Sequence, residues 1–154
     1  MKQITALLIS FLFIAAINAQ CFEPKIPENR FSVGLGLGYG TKANGSIANM
    51  QLEYNISKVR IAYSQTVFFA GDKPAFFELK GGYQLGNSIS FTPHAGVGYE
   101  VMDIDQGNYN ACITYGAEFN MEINPFIYCN PRVFADFNRF GKYNLFLIGF
   151  KASL

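Results

Sequence analysis

The sequence has no tryptophan, one histidine, three cysteines and few charged residues. With 12 basic and 11 acidic residues, its net charge of +1 offers no electrostatic basis for binding nucleic acid. Charged residues make up 15% of the chain, against about 25% in an ordinary soluble domain. Because hydrophobic residues make up 50%, we expect something other than water to cover part of the surface.

The cysteines do not suggest a metal site. Cys112 and Cys129 lack C-x-x-C spacing and companion histidines, so we expect neither a metal nor a cofactor. Cys21 follows the N-terminal apolar segment, where a lipoprotein would be acylated. The residue before it is Gln20 rather than Gly, Ala or Ser, so unpaired thiols or one incidental bridge are the preferred interpretation.

Long apolar runs are missing after the first twenty residues. Residues 1–19 combine Lys2, an apolar run from Ile4 to Ile17 and a small residue, Ala19, at the expected cleavage position. This pattern predicts a cleaved signal peptide. The run is shorter than the ~20 residues of a spanning helix, and no second run follows, so a helical membrane protein is not expected.

Residues 31–40, FSVGLGLGYG, have glycines spaced like those of a dinucleotide-binding loop. Apolar residues occupy every second position here, at Phe31, Val33, Leu35, Leu37 and Tyr39. This is the period of a strand with two unlike faces. A dinucleotide loop requires a helix after the glycines, whereas TKANGS follows here. The stretch therefore predicts a strand and no nucleotide site.

The same alternation recurs along the chain and predicts eight strands. Their apolar faces begin at Phe31, Met50, Val59, Phe77, Ile89, Ile113, Ile127 and Phe146. Ionisable side chains fall on the opposite parity, where we expect an internal network of ion pairs. The members of this network are Glu53, Arg60, Glu78, Lys80, His94, Glu100, Glu118, Glu122, Arg132, Asp136 and Lys151.

Alternation alone would also suit a soluble antiparallel sandwich, but three features favour lipid. The segments match the 9 to 11 residues of a tilted spanning strand, aromatic residues lie near their ends, and short connections alternate with longer ones. The predicted short connections are Ser57-Lys58, 86–88 and Asn124-Pro125, and the longer ones are 41–46, 70–74, 102–110 and 138–143. Backbone groups in hydrocarbon must all be paired, so the strands should close into a barrel.

From about Arg30 to Leu154 the chain resembles the small eight-stranded outer-membrane barrels of the OmpA/OmpX type, and its signal ending, NAQ, resembles those of Bacteroidetes. The strand TPHAGVGYE at 92–100 and the C-terminal strand carry the resemblance. In the latter strand, Gly149, Phe150, Ala152 and Leu154 match the spacing of the family's insertion signal, although the family usually ends in an aromatic residue.

The resemblance implies an all-β, eight-stranded antiparallel up-and-down transmembrane barrel (30–154), after a signal peptide (1–19) and a periplasmic segment (20–29). It also implies a location in the outer membrane of a Gram-negative cell, with both termini in the periplasm. The implied partners are outer-membrane lipid, lipopolysaccharide and the barrel-insertion machinery, and the implied state is monomeric.

The interior of an eight-stranded barrel is just wide enough for side chains to fill. We therefore expect a charged lumen rather than a wide pore, and a non-enzymatic role in membrane integrity or surface interaction. The alternating glycines, including Gly96 and Gly98, should leave room for water or for long side chains opposite. One alternative is a lipid A-modifying barrel enzyme, although His94 has Thr92 and no serine nearby in sequence. The other is a soluble periplasmic lipocalin-like binding barrel.

Overall fold

The computed structural model describes residues 29–42, 44–69, 74–103, 108–123 and 130–153. The expectations for the signal peptide, the segment up to residue 28, Cys21, Ile127, Cys129 and Leu154 lie outside the described residues. Within the described ranges, no helix has the length and apolarity needed to cross a membrane.

Eight antiparallel strands make up the fold. They are β1 (Asn29–Gly40), β2 (Gly45–Ile56), β3 (Val59–Phe68), β4 (Ala75–Tyr83), β5 (Ile89–Asp103), β6 (Asn108–Glu122), β7 (Arg132–Phe140) and β8 (Tyr143–Ser153). A two-residue extension after β4, Leu85–Gly86, pairs with Phe91 and Ser90 at the start of β5.

The sheet closes on itself. Each strand pairs with its neighbours in sequence, and β1 pairs with β8 from Ser32 opposite Ser153 to Gly40 opposite Leu145. β1 begins and β8 ends at the same rim, which we call the terminal rim; it also holds the turn Ser57-Lys58. The opposite end, where β1 ends at Gly40 and the turn 141–142 lies, is the distal rim. The predicted all-β, eight-stranded antiparallel barrel is confirmed.

Some predicted connection lengths are wrong. The short turn expected at Asn124-Pro125 is longer, because β6 ends at Glu122 and pairs there with Arg132, the first residue of β7. The longer loop expected at 138–143 is a two-residue turn between Phe140 and Tyr143. Gly141 makes this turn possible, because it has a φ of 52°, which glycine adopts without steric cost.

The loop expected at 102–110 is also shorter than predicted, because β5 continues to Asp103 and β6 begins at Asn108. The strand register shifts between Val101 and Asp103, which marks a β-bulge or irregularity. Val101, predicted to share the outer face of β5, is buried instead. An irregularity of this kind breaks the strict alternation of side chains between the two faces.

Apolar side chains cover the outside of the barrel. Leu35, Ile113 and Ile148 are 64%, 72% and 67% exposed, on three different strands. Their neighbours two residues away along each strand also point outward, as the period of a strand requires. The outer face therefore carries the residues that a soluble protein would bury.

Part of the interior is apolar, from Phe134 on β7 to the distal rim, which the sequence analysis did not predict. A cluster of buried side chains, which we call the apolar plug, comprises Ile47, Phe76, Phe134, Phe140, Tyr143, Leu145 and Leu147. The Phe76 ring packs against those of Phe140 and Tyr143, with centroids 4.6 Å and 5.0 Å away.

Glycines on the inner face make room for the rings of the apolar plug. A Cβ atom at Gly149 would lie 2.7 Å from the ring of Phe134, and one at Gly98 would lie 2.5 Å from the ring of Phe140. Such distances are too short for real contacts, so only glycine fits. The space expected beside the glycines is therefore occupied by aromatic side chains at several positions, and by the long side chain of Lys151 beside Gly34.

Candidate functional site

Glu118 is at the centre of the larger group of ion pairs in the lumen. Its side chain, on β6, is fully buried and accepts hydrogen bonds from both terminal nitrogens of Arg60 on β3, with Nη2 3.0 Å from Oε2. Lys151, on β8, donates to Glu118 and to Glu53, whose Oε2 lies 2.7 Å from the lysine Nζ. The Nε of Arg60 lies 3.3 Å from the same Glu53 oxygen. We call these four residues the Glu118 cluster.

A second group of ion pairs lies further from the terminal rim. Asp136 accepts a hydrogen bond from Lys80 Nζ at 2.7 Å and pairs with His94 Nε2 at 2.9 Å. Lys80 and His94 are on the adjacent strands β4 and β5, while Asp136 is across the lumen on β7. We call these three residues the Asp136 cluster.

Glu78 extends the Asp136 cluster towards the apolar plug. Its Oε2 lies 3.8 Å from Lys80 Nζ and accepts hydrogen bonds from Ser64 Oγ at 3.0 Å and Asn138 Nδ2 at 2.8 Å. These neutral partners were not predicted as members of the network. Their position on the charge-bearing parity of β3 and β7 is the signal that would have identified them.

The strand alternation explains why these groups meet. Arg60 and Glu118 are 58 residues apart in sequence, but both occupy inward positions of strands on different sides of a narrow barrel. Buried charges are tolerated only when they are paired and hydrogen-bonded. The bidentate contact between Arg60 and Glu118 provides the opposite charge and two hydrogen bonds at once.

The remaining predicted network residues lie at the two rims. Glu122 Oε1 lies 3.3 Å from Arg132 Nη2 at the terminal rim. Glu100, near the distal rim, accepts a hydrogen bond from Tyr143 at 2.6 Å, and its Oε1 lies 3.8 Å from the exposed Lys142. Seven of the eleven predicted residues therefore form the two central clusters, and Glu78 adjoins the second of them. The other three, Glu122, Arg132 and Glu100, lie at the rims.

The residues of the predicted insertion signal lie on both faces of β8. Phe150 is 65% exposed on the outside, whereas Gly149 faces the lumen. A Cβ atom at Gly149 would lie 2.1 Å from the carbonyl oxygen of Leu35 on β1. Gly149 is therefore required for the close contact between the first and last strands, independently of any signal.

His94 has no catalytic partner among the described residues. Its Nε2 pairs with Asp136, and its Nδ1 has no hydrogen-bond partner, so no serine or threonine hydroxyl is bound to the ring. Cys112 is a half-buried free thiol beside the carbonyl oxygen of Gly98. Across the described ranges, no three His, Cys, Asp or Glu side chains are grouped so that they could hold a metal ion.

The closed sheet, the apolar outside and the ionised lumen define a class of protein, the eight-stranded antiparallel barrel that resembles transmembrane barrels. No protein-family model and no curated protein matches the chain. Among solved structures, it is similar to the N-terminal β-barrel domain of Pseudomonas aeruginosa OprF. The two share 11% identity over 82% of this chain and 98% of that domain, with a TM-score of 0.62.

Two designed proteins are also similar. One, from the de novo design of transmembrane β-barrels, shares 18% identity over 86% of this chain and all of its own, with a TM-score of 0.58. The other, the de novo designed TMB2.3, shares 16% identity over 84% of this chain and 98% of its own, with a TM-score of 0.61. At these identities the likeness establishes the fold alone.

Proposed function

We propose that the chain is a non-enzymatic barrel of the outer membrane of a Gram-negative cell, with a role in membrane integrity or surface interaction. The observation that carries the proposal is the distribution of side chains. Large apolar residues such as Leu35 and Ile113 are exposed on the outside, while Glu118 and Arg60 are paired inside. Lipid would cover the outer residues, which water would not.

The same distribution argues against a soluble lipocalin-like carrier. Such a barrel needs an apolar cavity for its ligand and a polar outside. Here the lumen is occupied by ion pairs and by the apolar plug, which extends to the distal rim. The filled lumen also supports a structural role over a wide pore.

The closed sheet supports a monomer in the membrane. Hydrogen-bonded neighbours flank all eight strands on both sides, so no strand edge is available to join a second copy. We propose that the terminal rim, where β1 begins and β8 ends, faces the periplasm. The proposed partners are outer-membrane lipid and lipopolysaccharide around the barrel, and the insertion machinery that reads β8.

Cell fractionation tests the membrane assignment. We expect the mature protein in the outer-membrane fraction, released by detergent but not by high salt or carbonate. A folded barrel should also migrate differently on a denaturing gel before and after boiling. Recovery of the folded protein from the soluble periplasm without detergent would refute the assignment.

Lipid A analysis tests the non-enzymatic part of the proposal. His94 is bound to Asp136 inside the lumen, away from the outer surface. It therefore lacks access to lipid, and no hydroxyl of the described residues is bound to its ring as a nucleophile to activate. We expect identical lipid A mass spectra from cells with the gene, without the gene and with His94→Asn. A change in acyl number that depends on the gene would contradict this expectation.

A further inference from the structure

Arg139 is the one ionisable residue that faces outward among the strand residues whose side chains the structure describes. It is the second-last residue of β7 and lies on the same face as the exposed Phe137, two residues before it. Every other outward position on these strands holds glycine or an uncharged side chain. Because a charge on a lipid-facing wall is costly unless it reaches the interface or a partner, an arginine there indicates a functional contact.

The guanidinium group of Arg139 is held at the distal rim by two neutral acceptors. Its Nε donates to the carbonyl oxygen of Gly141 at 2.8 Å, and its Nη1 donates to Asn144 Oδ1 at 2.7 Å. Asn144, opposite Arg139 on β8, is bound in turn to Thr41. Its N–H donates to Thr41 Oγ1 at 3.1 Å, and its carbonyl oxygen accepts from the Thr41 N–H at 2.9 Å. We call Arg139, Asn144 and Thr41 the polar row.

An aromatic row lies beside the polar row, on the side of the terminal rim. Phe137 is opposite Phe146 on β8, with ring centroids 5.0 Å apart, and Phe146 is opposite Tyr39 on β1. All three side chains are exposed on the outer wall. Aromatic residues of membrane barrels lie where the hydrocarbon meets the headgroups. The guanidinium group of Arg139 is therefore at the level of the headgroups.

Arg139 has donors available for a ligand. Arginine carries five N–H donors, of which Gly141 and Asn144 take two. No carboxylate of the described residues forms an ion pair with Arg139. The neighbouring cation, Lys142, is directed to Glu100 instead, with its Nζ 3.8 Å from Oε1. The guanidinium group is thus oriented in advance, positively charged and without a compensating anion in the described part of the chain.

We propose that Arg139 binds the phosphate group of a lipid in the leaflet around the distal rim. A guanidinium fork matches two oxygens of one phosphate, and the aromatic row offers the acyl chains of the same molecule an apolar surface. Free phosphate would leave that surface unused. The proposal rests on the proposed function: with the terminal rim in the periplasm, the lipid is the phosphorylated lipid A of the outer leaflet.

Lipid A with and without its phosphates tests the site. The refolded protein in an uncharged detergent is titrated with each form, and bound lipid is counted by native mass spectrometry. The parent protein should bind the phosphorylated form more tightly. Arg139→Gln should weaken binding of that form about tenfold, because it removes charged hydrogen bonds, and should not change binding of the dephosphorylated form. Lys142→Gln is the matched control, since it removes the same charge at the same rim from a side chain directed to Glu100.

Folding of each variant is checked by its gel mobility before and after boiling. If Arg139→Gln does not fold, Arg139→Lys replaces it and should also weaken binding of the phosphorylated form, because lysine lacks the planar fork of donors. Equal binding of the two lipid A forms by the parent protein would refute the site and leave the membrane assignment intact. Equal weakening by Lys142→Gln would refute it in the same way. Binding of neither form to the folded protein would count against the site and the membrane assignment together.

Discussion

Replacing Glu118 with glutamine should lower the free energy of unfolding of the barrel by about 3 to 5 kcal/mol, the usual cost of removing one partner from a buried ion pair. Glu118 is fully buried and bonds to both Arg60 and Lys151. Glutamine keeps the shape and some hydrogen bonds but removes the charge, which leaves two buried cations opposite Glu53 alone. Urea unfolding of the barrel, refolded in lipid vesicles, would measure the change.

Two further variants separate charge balance from packing. Combining Glu118→Gln with Lys151→Met removes one charge of each sign, so the double variant should regain at least half of the lost stability. Glu100→Gln should cost no more than about 1 kcal/mol, because the cation beside Glu100, Lys142, is half-exposed near the distal rim. A cost for Glu118→Gln as small as that for Glu100→Gln would mean that water screens the charges of the lumen, and would contradict the ion-pair account.

Much of the barrel could be predicted from the sequence because a strand has a two-residue period. That period assigns each side chain to one of two faces without knowledge of any other strand. Phe150, Glu118 and Arg60 could therefore be assigned to the outside or the inside from their own segments. The closure of the sheet followed from the number of strands and the need to pair every backbone group.

The partners within the lumen could not be predicted in the same way. Which strands face each other across the barrel, and at what height, depends on the register of all eight strands together. The contact of Arg60 with Glu118, and that of Lys80 with Asp136, thus needed the folded structure. Local alternation specifies that a charge faces inward, but not which charge it meets.

The apolar plug was missed because its members lie on the parity assigned to polar residues. Two Phe-Phe pairs, Phe68-Phe69 and Phe76-Phe77, were available as a signal. Adjacent residues of a strand point to opposite faces, so each pair places one ring inside the barrel. The two-residue turn at Gly141 was missed for a related reason, because the polar residues before it, which suggested a loop, belong to β7.

Replacing Leu35 with arginine should destabilise the barrel in lipid by about 2 to 4 kcal/mol, the cost of an arginine on the lipid face at the bilayer midplane. Leu35 lies in the middle of β1, is 64% exposed on the outer wall and pairs with Phe150 of β8. Because the cost falls towards the interface, Phe31→Arg near the terminal rim should cost at most about 1 kcal/mol. The measurement is urea unfolding of both variants and the parent protein in the same vesicles.

The comparison of Leu35→Arg and Phe31→Arg distinguishes lipid from water around the barrel. If water surrounded the barrel, Leu35 would be an ordinary exposed residue, and its replacement by arginine would change stability by no more than about 0.5 kcal/mol. Lipid instead makes the midplane variant the costlier of the two, because the penalty for a charge depends on its depth in the hydrocarbon. Equal and small effects at the two positions would therefore refute the membrane assignment, even for a barrel that folds as described here.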